Sequence, residues 1–210
     1  AKLVDDTPAF LAELQEWKTR TARALAAGKL GPMWNAAKIT EATATGNVKF
    51  EVLADGSYLA TGANPANSTY TINLQPGERT VTGIRLETLT HKNLTQGGLS
   101  RSVNGNFILT EFELLEHRPD MNEPRKIAIA SAQAAYSQNK YPIADTIDGQ
   151  ASTGWAVLGR PKIKDTPAVF TLARPLNTAA DSTLAVRLRH DRSTRHTIGR
   201  FRLALTSAAA

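Results

Sequence analysis

The feature that most constrains this chain is a change of period at Trp34. Before it, Thr7 can cap a helix and Pro8 suits the first turn. Phe10, Leu14, Trp17 and Leu25 then follow helical spacing as far as Gly28, so one helix is expected over residues 7 to 28. Lys29 to Pro32 carries turn chemistry. After Trp34 the helical period is gone, replaced by alternating or β-branched runs with turn signals about 8 to 12 residues apart, the spacing of an all-β sandwich.

The runs are specific. Val48, Phe50 and Val52 lead into the hairpin signal Asp55-Gly56, and Tyr58 to Thr61 follows it. Tyr70, Ile72 and Leu74 alternate with Thr71 and Asn73, and Ile84 and Leu86 with Arg85 and Glu87. Asn106 to Leu115 is apolar on both faces at its start, which predicts a central strand. Leu184, Val186 and Leu188, then Phe201, Leu203 and Leu205, put arginines on the outward faces. About eight or nine strands are expected, without intervening helices or an internal repeat, which excludes doubly wound and solenoid folds. The expected divisions are a helix and linker over 1–33, a sandwich over 34–206 and a tail over 207–210.

The chain contains no cysteine, which removes disulfides, thiolate metal sites, a cysteine nucleophile and covalent haem attachment. No run is apolar enough to predict a membrane span, and Ala1 does not open a signal peptide, so the sequence reads as an excised fragment or a mature chain. The net charge of +6 is uneven: ten basic residues from Arg160 to Arg202 face three aspartates, a local balance of +7 that leaves −1 elsewhere. Such a quarter is either a solvated basic surface or a site for an anionic partner. It lacks exposed aromatics on which bases would stack, so nucleic acid is not expected.

Catalytic signatures are missing. His91, His117, His190 and His196 have no metal-ligand spacing, and neither a nucleophile elbow nor a phosphate loop is present. Glu111 and Glu113 share a strand face, as the acid and base of a glycosidase would, but strand glutamates in an arginine-rich sheet read better as ion pairs. A carbohydrate site asks for an aromatic face and a few polar donors on loops, for which Trp155 and Tyr141 are candidates and Tyr58 and Tyr136 are further ones. Arg187, Arg189, Arg200 and Arg202 would form a band suited to anionic polysaccharide if their two strands were neighbours; otherwise they neutralise Glu87, Glu111 and Glu113.

Residues 132 to 155, with Tyr136-Ser137, Tyr141-Pro142, Ile147-Asp148-Gly149 and Gly154-Trp155, resemble the early part of a discoidin-type, galactose-binding-like β-sandwich. Asp55-Gly56-Ser57, Ile84-Arg85-Leu86-Glu87, Gly98-x-x-Arg101-x-x-Asn104-Gly-Asn-Phe107 and Ile198-Gly-Arg-Phe-Arg-Leu203 extend the likeness. Together they resemble the galactose-binding-like module of the extracytoplasmic, cytochrome-containing proteins of planctomycete-type bacteria, over residues 34 to 206.

The resemblance implies a jelly-roll sandwich that binds glycan without catalysis, within a periplasmic or secreted protein whose other domains are its partners. It adds Arg101 and Asn104 to the ligand-binding candidates. It also implies a structural calcium ion in the loop from Ile147 to Thr153, held by Asp148 and Thr153 with Glu111 or Glu113 from a strand. No haem is implied here. The alternative is a structural or protein-docking module. The family's glycine-proline-glycine-arginine run reads Gly97-Gly98-Leu99-Ser100-Arg101 in this chain.

Overall fold

The computed structural model describes residues 8, 11–13, 15–16, 18–19, 33–159 and 164–208. By its internal contacts the chain divides into Ala1–Met33 and Trp34–Ala210. The expected helix over 7 to 28 falls mostly outside the described residues; its eight described positions, between Pro8 and Thr19, have helical backbone.

The second unit is built of strands. In chain order they are β1 (Asn35–Ala36), β2 (Ile39–Ala44), β3 (Val48–Val52), β4 (Tyr58–Gly62), β5 (Ser68–Leu74), β6 (Arg79–Thr88) and β7 (Ile108–Leu109). There follow β8 (Glu111–His117), β9 (Arg125–Ile127), β10 (Ile129–Ala134), β11 (Trp155–Ala156), β12 (Thr166–Thr178), β13 (Thr183–His190) and β14 (Arg200–Thr206). They form a seven-stranded sheet in the order β10-β12-β6-β14-β4-β3, with β1 also on β14, and a five-stranded sheet in the order β2-β5-β13-β8-β9. Strands β7 and β11 make a small third ladder. The named pairings are antiparallel, including the expected Asp55-Gly56 hairpin between β3 and β4.

Alternation explains which faces meet. In β5, Ser68, Tyr70, Ile72 and Leu74 are buried while Thr69, Thr71 and Asn73 face outward. β13 buries Leu184, Val186 and Leu188 in the same way. Phe112 of the five-stranded sheet stacks on Phe170 of the seven-stranded sheet, with ring centroids 3.6 Å apart and planes 9° from parallel. Tyr70 likewise meets Phe50 edge-on at 4.9 Å and Phe201 at 6.1 Å. The apolar core therefore lies between the two sheets.

Three local details qualify this picture, the first and third of them departures from expectation. The run from Asn106 to Leu115 is not one strand: it breaks at Thr110, whose N–H donates to the Arg189 carbonyl. Its apolar start is buried because it forms the small ladder with β11, not because it lies in mid-sheet. Strand β12 continues through a register shift between Thr171 and Leu176, where Pro175 falls in the irregular stretch and costs no ladder hydrogen bond. The expected tail is partly tied down, since the Ser207 hydroxyl donates to the Thr80 carbonyl and Thr82 donates to the Ala208 carbonyl.

Candidate functional site

Trp155 is corrected as a glycan platform. It has no exposed surface; its ring meets Phe107 edge-on at 4.9 Å and its indole N–H donates to the Tyr136 carbonyl at 2.9 Å. The preceding Gly154, at φ +152°, lets this strand press against β7, where a Cβ would sit 2.6 Å from the Leu109 carbonyl oxygen. The Gly-Trp pair thus closes the core. Tyr141 is half-buried, with the Arg192 guanidinium 5.2 Å from its ring centroid. Arg192 also donates to the Ser152 carbonyl, which ties the tyrosine to the 148–153 loop.

Arg101 and Asn104 hold backbone in place. The Arg101 guanidinium donates to the carbonyls of Thr61, Gly62 and Ala63, clamping the turn after β4. Burial lowers its pKa from the ordinary arginine value. Asn104 Oδ1 accepts from the Ser102 hydroxyl at 2.8 Å and the Asn106 N–H at 3.0 Å, so it shapes its own loop. Asn106 then joins three segments, donating to Gln138 Oε1 and accepting from the Val157 N–H.

The four-arginine band does not exist. Arg187 and Arg189 lie on β13 in the five-stranded sheet, and Arg200 and Arg202 on β14 in the seven-stranded sheet, so their outward faces are on opposite sides. Arg202 pairs with Glu87 at 2.6 Å, Arg200 with Asp55, and Arg189 with Asp191 at 2.8 Å. Arg187 is exposed and lies across from Glu113 in register.

What the fold does assemble is a groove of about 500 Å3 beside β8. Its polar lining is Glu111, Glu113, Lys126 and Asp148, and Ile127, Ile129 and Ile147 are apolar parts of its wall. Strand alternation places Glu111 and Glu113 on the same face, and Lys126 of the neighbouring β9 reaches Glu113 at 2.9 Å. Glu111 is only 4% exposed, and its Oε1 has no hydrogen-bond partner. Burial first, then the charge of Asp148, push its carboxyl above the usual carboxylate range; Lys126 opposes them, and Glu113, raising it, and the Gly149 N–H, lowering it, act more weakly.

The 148–153 loop does bring Asp148 and Thr153 together, but onto each other. Asp148 Oδ2 accepts from the Thr153 hydroxyl at 2.8 Å and Oδ1 from the Gln150 N–H at 2.8 Å. Calcium takes about six to eight oxygen ligands. Here the loop aspartate already serves as an acceptor in a turn, and among the described residues no three Asp, Glu or His side chains converge as a metal set. Asp148 and Thr153, the two loop residues expected to hold calcium, are hydrogen-bonded to each other. Lys126, Ile127 and Ile129 were not signalled by any motif; they enter from the β9–β10 stretch, which the sequence did not mark, whereas Ile147 belongs to the Ile147-Asp148-Gly149 run.

The chain matches no known protein-family model and no curated protein. No helix among the described residues is long and apolar enough to cross a membrane.

Proposed function

We propose that the unit from Trp34 onward is a non-catalytic carbohydrate-binding module with the galactose-binding-like jelly-roll fold, part of a larger extracytoplasmic bacterial protein. The observation that carries this reading is the groove beside β8. A pyranose has hydroxyl groups around its rim and C–H groups on its faces, and the groove offers carboxylates and an amine beside three isoleucines. The earlier expectation of a preference for anionic polysaccharide is not carried forward, since the arginines that motivated it are divided between opposite faces and three of the four are ion-paired.

A glycan array probed with the whole chain tests the reading, followed by calorimetry on any glycan retained. Glu113→Ala opens the groove rim and should weaken binding by about tenfold, equivalent to about 1.4 kcal/mol, without lowering the melting temperature. An array on which nothing is retained, or binding indifferent to Glu113→Ala and Lys126→Ala together, overturns the proposal. The alternative of a docking module would then stand.

A further inference from the structure

Resting on the glycan reading above, we infer that the groove takes an amino sugar, whose ammonium group donates to the free oxygen of Glu111. A carboxylate oxygen withdrawn from water with no donor is among the costliest polar groups to bury. Glu111 Oε1 is such an atom, on a residue that lines the groove. A ligand N–H removes that cost.

The surrounding charge has the matching sign. Asp148 and Glu113 both act on Glu111 as negative neighbours, while Lys126, the cation among the described lining residues, acts on Glu111 with the opposite sign and pairs with Glu113 at 2.9 Å, which leaves three carboxylates to one amine. A sulfated or uronic sugar entering here meets like charge, whereas a glucosaminium unit meets an unbalanced negative site. A metal ion is the poorer match, because both Asp148 oxygens already accept hydrogen bonds from Gln150 and Thr153. An ammonium carries its own three donors and needs no closed shell of ligands. Ile127, Ile129 and Ile147 provide the apolar contact that a sugar ring uses and a bare ammonium does not.

The test is calorimetry of the whole chain at pH 6 with three hexasaccharides of one linkage: β-1,4-glucosamine, β-1,4-N-acetylglucosamine and cellohexaose. The glucosamine hexamer should bind at least about tenfold tighter than the other two, with and without EDTA. Glu111→Gln should remove that advantage. Asp148→Asn, at an exposed position that does not threaten folding, should reduce it several-fold. Equal affinity for cellohexaose and the glucosamine hexamer overturns the amino-sugar inference and leaves the glycan reading standing. Binding lost in EDTA and restored by calcium overturns it in favour of a metal site. No binding of any hexamer, together with a blank array, removes both.

Discussion

Lowering the pH from 7 to 5 should cost this fold about 2 kcal/mol through His190 alone, given a pKa lowered from 6.5 to about 4. His190 ends β13 and is 1% exposed. The Ile198 N–H donates to its Nε2 at 3.3 Å, so the ring proton sits on Nδ1 and is donated to the Ser68 carbonyl at 3.1 Å. Protonating Nε2 would set one N–H against another inside the core, against Tyr70, whose ring centroid is 4.8 Å away. Burial is the main cause of the lowered pKa, and the Ser68 hydrogen bond opposes it.

The unfolded chain therefore binds this proton at a higher pH than the folded one. Its contribution is fully present above pH 6.5 and is lost as pH falls toward about 4, for a total of about 3 kcal/mol. Urea unfolding at pH 7, 6 and 5 measures it, with His190→Gln as the reference that does not titrate. The variant should be less stable at pH 7, and its deficit should shrink by about 2 kcal/mol at pH 5. Parallel stability profiles for the two proteins would refute the reasoning, because carboxylate titration is common to both and cancels.

Tyr70 gives the alkaline counterpart: burial raises its pKa from 10 to about 12, so stability present below pH 10 is lost as pH rises toward 12, and absorbance should show one tyrosine ionising only with unfolding. Tyr70→Phe deprives the Ile198 carbonyl of its 2.9 Å donor and should cost about 1–2 kcal/mol in urea at pH 7. Trp155→Ala should cost about 3–5 kcal/mol, and a loss below about 1 kcal/mol would contradict its burial. Glu111→Gln should raise the stability of the ligand-free protein at pH 7 by about 1 kcal/mol, an advantage that fades as acid neutralises the native glutamate. Denaturant curves at pH 7 and pH 4 distinguish that outcome from a neutral change.

Much of the strand pattern was legible because one-sided burial writes itself as alternation. Ser68–Leu74 and Thr183–His190 bury every second residue, Arg200–Thr206 does so over its first four residues, and Asp55-Gly56 marks its hairpin. Strand β2, Ile-Thr-Glu-Ala-Thr-Ala, and the alanine-rich β10 carry little apolar contrast, and their pairing partners create them. Alternation also says which way Arg187 and Arg202 point without saying which sheet each strand joins. That information lies in pairings such as Arg187 with Glu113 and Arg202 with Glu87, across 74 and 115 positions of chain. The groove shows the same division: Glu111, Glu113 and Asp148 could be named from the sequence, while their meeting with Lys126 and three isoleucines depends on how distant segments fold together.

The loop built around Asn104 also sets a chemical lifetime. Asn104-Gly105 is the chain's one asparagine–glycine pair, the dipeptide that most readily cyclises to a succinimide and deamidates. Cyclisation requires the Gly105 nitrogen to attack the Asn104 side-chain carbonyl. In the fold that nitrogen donates to the Ser102 carbonyl at 3.1 Å, while the asparagine oxygen is held by Ser102 and Asn106. The folded loop keeps the reacting atoms engaged elsewhere, and the unfolded chain frees them. A mass gain of about one dalton at Asn104, accumulating in stored protein, would record the time each molecule has spent with this loop open.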